Sequence, residues 1–292
     1  MTSTAAVVVR WRGGDEVDRC LRSLLAQTGA ELNRVVLVDS GSGDGGAERL
    51  AADFPDIQVL ALDENRSFAH AANTGAAAAT EDNLLLLNPD TELAADTVAA
   101  LADTARRHPG AAGVVPLLTD FDGGSQHQWQ LRRLPSAWRL ASGRPGAPAF
   151  ESPPTSEVAV EQPAAAAWLV RREVWDAVGG LDAAFAPAWW EDVDFCARLA
   201  RAFGRPGFPA DGGFVVDPSA AVHHRGGSSL DELEPSLFRE VYTTNLLRYA
   251  ARHHADRLPL IRAGVRFSSL LRTIHRRVRV RPHRAAERRI QS

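Results

Sequence analysis

Lysine is absent: all 33 basic residues of the 292-residue chain are arginine. That absence excludes a Schiff-base lysine, a lysine general base and a Walker-type phosphate loop. Phosphate, if bound, has to be met by arginine, by backbone N–H groups or through a metal. Cysteine is nearly absent too. Cys20 and Cys196 stand far apart without metal-ligand spacing and read as two reduced thiols of a cytoplasmic protein. No apolar run reaches about 18 residues, so no membrane-crossing helix is expected. The opening MTSTAAVVVRW lacks the early basic residue and the apolar core of a signal peptide.

What is present suffices for folding. The hydrophobic share is 45%, and a chain of this length can bury the core of one large α/β domain or two small ones. The net charge of −3 conceals an uneven distribution. From Arg252 to Ser292 twelve arginines face only Asp256 and Glu287, about +10, which leaves about −13 for the rest. An acidic body with a basic tail points to an anionic surface as the tail's partner. A solvated or nucleic-acid-binding tail is the rival reading.

Short apolar runs at 5–9, 34–40, 57–63, 83–90 and 111–118 predict buried strands. Helical spacing fills the gaps: Val17, Cys20, Leu21, Leu24 and Leu25 lie on one face, an alanine-rich helix follows at 69–80, and 92–108 reads as one continuous helix. Alternating strands and helices argue for an open, mostly parallel sheet. Residues 119–163 are rich in Gly, Pro and Ser and read as a loop or lid. A strand and helix at 164–180 follow, then a short strand before His223. Beyond Leu230 the pattern is helical.

Several clusters could carry chemistry. Gly41, Gly43 and Gly46 form G-x-G-x-x-G between a strand and a helix, with Asp63 ending the next strand. That spacing fits a dinucleotide fold and an NAD-dependent oxidoreductase. The loop follows the second strand, however, and an Asp39-Ser40 pair stands where pyrophosphate would approach. Asp90 ends a buried strand in LLLLNPDT, where ligands of open α/β sheets bind, and can hold a divalent cation against a diphosphate. His223 and His224 follow a short strand, and either imidazole suits such a metal.

The stretch WWEDVDFCARL packs Glu191, Asp192 and Asp194 behind Trp189 and Trp190. As a helix beginning near Glu191, it places Phe195, Cys196, Leu199 and Phe203 on one apolar stripe. Asp192 falls on that stripe. Asp194 falls outside it, one turn before Arg198, where an ion pair is expected. Partial burial beside the tryptophans would raise the pKa of Asp192 toward that of a useful base.

In order, these motifs read VDSGSGDG (38–45), NRSFA (65–69) with Asn73 and Gly75, NPDT (88–91), VGGLD (178–182), EDVD (191–194) and HHRGGSS (223–229). Together they resemble family 2 of the GT-A-type glycosyltransferases, in particular its bacterial rhamnosyltransferase-like branch, across roughly residues 5–230. The resemblance implies a GT-A fold, an inverting hexosyl transfer, a nucleotide-diphospho-sugar donor of dTDP or UDP type, a divalent Mg²⁺ or Mn²⁺, and a saccharide or lipid-linked acceptor of the cell envelope. It implies donor contacts from Asp39, Ser40, Gly41, Asp44, Asn65, Asn73, Asn88 and Asp90, with Asp39 reading the nucleobase. Asp90 matches the metal acid, with Asn88 at the other DxD position, and His223 or His224 completes the metal site. Asp192 matches the base; Glu191 would orient the acceptor or loop, and Trp189 and Trp190 would wall the acceptor pocket.

The implied organisation is a catalytic domain over 1–230 and a basic helical extension over 231–292. Within the former, 1–118 binds the donor, 119–163 is a flexible lid and 164–230 meets the acceptor. Leu258, Leu260, Ile261, Val265, Phe267, Leu270 and Leu271, interspersed with arginine, suggest a peripheral protein docked on the inner face of the plasma membrane; nucleic acid is not expected. The oxidoreductase and a non-catalytic nucleotide-sugar binder remain the alternatives.

Overall fold

The structure is a computed structural model, which describes residues 2–29, 31–203, 213–226 and 234–268. The first half alternates β1 (Thr4–Arg10), α1 (Asp15–Leu25), β2 (Leu32–Asp39), α2 (Gly46–Asp53), β3 (Gln58–Ala61), α3 (Phe68–Ala77) and β4 (Asn83–Leu87). Then come β5 (Thr91–Leu93), α4 (Thr97–Arg107), β6 (Gly113–Thr119), α5 (His127–Gln130), β7 (Leu131–Arg132), α6 (Ala137–Ala141), β8 (Val158–Val160) and β9 (Gln162–Pro163). The chain continues with β10 (Ala167–Arg171), α7 (Arg172–Val178), α8 (Glu191–Phe203), β11 (Phe214–His224) and α9 (Pro235–His253), and a further helix, α10, covers 258–268.

The nine-stranded sheet runs β3-β2-β1-β4-β10-β6-β11-β5, with β8 also on β11. The β3-β2-β1-β4 half is parallel throughout. β10 enters antiparallel to both β4 and β6, and β6 and β11 are parallel again. β1 shows why apolar runs without alternation make central strands: Ala5, Val7 and Val9 feed one core layer, and Ala6 and Val8 the other. α3 lies close on that sheet because Gly75 has no side chain; a Cβ there would run into Val7.

Two local readings change. The continuous helix read over 92–108 is divided: Thr91–Leu93 pairs with β11 as an edge strand, and the helix starts only at Thr97. The segment 119–163 is not only loop. It contributes α5, α6 and three short strands, and β8 joins the main sheet.

The chain divides into two compact units, Met1–Leu134 with Ala147–Asn245, and Pro135–Gly146 with Leu246–Ser292. The division falls inside α9, between Asn245 and Leu246. In the second unit, His254 Nε2 lies 3.2 Å from the Pro135 carbonyl and Ser268 Oγ donates to the Ser142 carbonyl at 3.2 Å. Of the apolar tail residues, Ile261 and Val265 are buried while Leu260 and Phe267 are exposed. Leu270 and Leu271 lie outside the described residues. Among the described residues, no helix is long and apolar enough to cross a membrane.

Candidate active site

The carboxyl ends of β1 and β2 bring Arg10 and Asp39 together. Both are buried and they form an ion pair. Asp39 Oδ1 also accepts the Ser42 N–H at 2.8 Å, so each of its oxygens has a partner. The same guanidinium reaches Asp44 Oδ2 at 2.6 Å, tying the glycine-rich loop to β1. Arg10 thereby lowers the pKa of the Asp44 carboxyl below its usual range, helped by the Gly46 N–H. Gly41 takes φ +66°, and a Cβ there would strike the backbone of Glu64 and Asn65, so the turn demands glycine. Ser40 Oγ donates to Asn65 Oδ1 at 3.1 Å across this turn.

Asn73 is placed differently from its neighbours in that list. Its Nδ2 donates to the Leu181 carbonyl at 2.6 Å, and its Oδ1 accepts the Leu181 N–H at 3.0 Å. Both ends of the amide hold the loop after α7.

Beyond β4, Asn88 uses its backbone: its N–H donates to the Ala166 carbonyl at 2.9 Å, and its carbonyl accepts from Thr91 Oγ1 at 2.8 Å. Asp90 is buried, with His224 Nε2 3.4 Å from its Oδ1. The pleat of β11 separates the two histidines left open above. His223 is exposed, 3.0 Å from Thr119 Oγ1 and stacked on Phe121, while His224 is buried toward Asp90. The side chain of Gln126 orients the His224 ring. Its Nε2 donates to the His224 carbonyl at 2.8 Å, which turns its Oε1 to His224 Nδ1, also at 2.8 Å. An amide oxygen only accepts, so Nδ1 carries the hydrogen, and Nε2 is the ring nitrogen turned toward Asp90. Among the described residues, no group of three or more His, Cys, Asp or Glu gathers as a metal site.

All three acids of EDVD are buried, with exposures of 7% for Glu191, 9% for Asp192 and 0% for Asp194. The one-sided stripe underestimated this, because the first two turns of α8 are buried all round. Phe195 fixes the helix between Trp168 of β10 and Trp175 of α7, 5.6 Å from each ring. Each acid is accommodated differently. Asp194 accepts from Arg198 Nε at 2.7 Å, the expected i,i+4 pair, and Arg198 also donates to the Val178 and Gly180 carbonyls at 2.5 and 2.7 Å. Asp192 Oδ2 meets Gln162 Nε2 at 3.2 Å and Arg132 at 3.4 Å, while Oδ1 accepts the Val193 N–H at 2.7 Å. Glu191 Oε2 has no hydrogen-bond partner. Burial, and then the charge of Asp192, push Glu191 up to about 8. One of the three acids is therefore neutral at pH 7, which removes most of their mutual repulsion.

The tryptophans precede α8 with left-handed backbone, φ +70° at Trp189 and +80° at Trp190. α9 holds them there. Phe238 meets Trp189 edge-on at 4.8 Å and Tyr242 meets Trp190 at 5.4 Å. Asn245 Nδ2 lies within 3.3 Å of the Ala186, Ala188 and Trp189 carbonyls. Trp190 is buried and lines no open wall; Trp189 is only partly covered. Motif reading missed Arg10, Gln126, Arg132, Gln162 and Asn245. None belongs to a repeated signature, whereas Arg198 was found by its i,i+4 spacing from Asp194.

Comparison with known proteins places this geometry. The N-acetylglucosaminyl-diphospho-decaprenol L-rhamnosyltransferase of Mycobacterium tuberculosis is 28% identical over 314 aligned positions, spanning 100% of this chain and 98% of the relative. The glucosyl-dolichyl phosphate glucuronosyltransferase of Haloferax volcanii is 32% identical over 97, covering 32% of this chain and 30% of that protein. Among solved structures, GalNAc-T7 with UDP, GalNAc and Mn²⁺ superposes with a TM-score of 0.59 at 17% identity, over 76% of this chain and 44% of that one. Staphylococcus aureus TarS, residues 1–349, gives 0.54 at 12% identity, over 86% and 72%. Both share the fold. The model of glycosyl transferase family 2 matches residues 6–160, more than half of the sequence, and the chain belongs to that family.

Proposed function

We propose that this glycosyltransferase inverts the anomeric centre as it moves a deoxyhexose such as rhamnose from a dTDP or UDP donor to a hydroxyl of a lipid-linked saccharide. The observation that carries the reading is the Asp90–His224 corner at the carboxyl end of β4, set by Gln126. Its donor set, one carboxylate oxygen and one imidazole nitrogen, fits a divalent ion that completes its shell with phosphate oxygens. Such an ion would neutralise charge on the departing diphosphate. The relative named for decaprenol-linked rhamnosyl transfer aligns end to end, which supports the choice of sugar and acceptor.

Asp192 takes the proton of the acceptor hydroxyl. Arg132 and Gln162 hold its Oδ2 in place. Glu191, neutral beside it, orients the acceptor or the loop without adding a second charge. Asp39, locked by Arg10 and Ser42, borders the nucleobase together with Ser40, Gly41, Asp44 and Asn65. Trp189 flanks the acceptor. In this reading the catalytic part extends through the first turns of α9 to Asn245, and the arginine-rich remainder seats the enzyme on an anionic membrane near its substrate.

The test is single-turnover transfer from dTDP-L-rhamnose, with donor binding measured alongside. Asp192→Asn should lower transfer by ~10²–10⁴-fold and leave donor affinity nearly unchanged. Near wild-type transfer by that variant would discard Asp192 as the base. Stabilisation by GDP-sugars alone in a thermal-shift panel would discard the pyrimidine donor.

A further inference from the structure

The segment from Gln126 to Arg132, read from sequence as loop, links the two halves of the site. At one end Gln126 sets the ring of His224, which faces Asp90. At the other, Arg132 reaches Asp192. Gln130 anchors the middle from a fully buried position: its Oε1 accepts the Leu118 N–H at 2.9 Å and its Nε2 donates to the Pro116 carbonyl at 2.6 Å. All four polar amide atoms of the two glutamines are thus spent on holding this strap. Yet it carries Trp129 with 48% of its surface exposed, its ring 5.3 Å from His224 and within 18° of parallel. A half-exposed indole on a rigidly framed segment that joins the two halves of the site is a surface that a ligand can complete.

We infer that Trp129 is the stacking platform for the pyranose ring of the donor, the sugar being transferred. This rests on the reading of Asp90–His224 as the diphosphate end and Asp192 as the acceptor end. The transferred sugar has to lie between its leaving group and the attacking hydroxyl, and the strap joins the residues that mark those two positions. A hexose offers an apolar C–H face to an aromatic ring, which matches a half-exposed indole. A nucleobase is a poorer match, because the base belongs at the ends of β1 and β2, where Arg10 and Asp39 sit.

The experiment compares calorimetric binding of dTDP-L-rhamnose and of dTDP, each with Mn²⁺, to wild type, Trp129→Ala and Trp129→Phe. Trp129→Ala should bind the nucleotide sugar about 10-fold more weakly and dTDP within about twofold of wild type; Trp129→Phe should recover most of the loss. Equal weakening of both ligands would show that Trp129 only supports His224 and would overturn the inference, as would unchanged binding of both. Thermal unfolding of each variant checks that the fold persists. If wild type itself binds neither ligand, nor UDP or UDP-sugars, the donor-site reading fails, and this inference falls with it.

Discussion

Asp192 and Asp194 stand two residues apart on α8 and answer to different arginines, Arg132 from β7 and Arg198 one turn further along the helix. The division separates chemistry from architecture. Arg198 joins α8 to the loop after α7 through Val178 and Gly180, and Asn73 grips the same loop at Leu181. Asp194→Ala, which leaves Arg198 without its buried partner, should cost about 3–5 kcal/mol in denaturant unfolding. Transfer per folded molecule should fall far less than in Asp192→Asn. A stable but inactive Asp194→Ala would reverse the two roles.

Glu191 makes stability depend on pH. Its pKa rises from the ordinary 4.5 to about 8 in the folded protein, so between those values the native state holds a proton that the unfolded state has lost. Its contribution to stability therefore falls as pH rises through that window, at up to about 1.4 kcal/mol per unit. Glu191→Gln removes the effect. Its melting temperature relative to wild type should climb between about pH 5 and about pH 8.5; a constant difference would mean that Glu191 is ionised throughout.

His223 and His224 provide a paired control for the cation site. His224→Ala and Asp90→Ala should each weaken Mn²⁺-dependent dTDP binding by about 10-fold or more, in the range expected for lost metal contacts. His223→Ala, on the other face of β11, should stay within about twofold. Gln126→Leu, which frees the ring but keeps the ligands, should fall between them. Equal effects of the two histidine substitutions would remove the distinction drawn from strand alternation.

Asn245 is the tether of the tryptophan loop. Left-handed backbone at Trp189 and Trp190 costs on the order of 1–3 kcal/mol per residue and persists because neighbours hold it. Asn245→Ala removes the donor to the Ala186, Ala188 and Trp189 carbonyls. It should lower stability by about 1–3 kcal/mol and raise the acceptor KM while donor affinity holds. An unchanged acceptor KM would detach this loop from acceptor binding.

The sheet was legible because its central strands are buried on both faces and therefore read as unbroken apolar runs. The carboxylates at the strand ends were legible for a related reason, since a charge ending such a run has few structural uses. β5 escaped because Thr91–Leu93 precedes a true helix and its alanine-rich spacing blends into it. The two histidines could not be told apart until the register of β11 was known. The helical wheel misjudged Asp194 because it assumes one buried side, and burial all round carries no periodicity. Gln126, Arg132 and Gln162 lie in a Gly/Pro/Ser-rich stretch, where hydrogen bonding over long sequence separations leaves no local pattern.

The antiparallel position of β10 between β4 and β6 has a consequence for how the chain matures. Strands β3, β2, β1 and β4 can pair as soon as residue 87 has been made, but the seam between β4 and β6 is filled only by Ala167–Arg171. Until then β4 and β6 present open edges made of LLLL and GVVPLL, both prone to pair with other chains. Synthesis at about 5–20 residues per second leaves those edges exposed for several seconds. Chains truncated before Arg171 should accordingly aggregate, whereas a break after the seam closes should leave the donor half of the sheet intact.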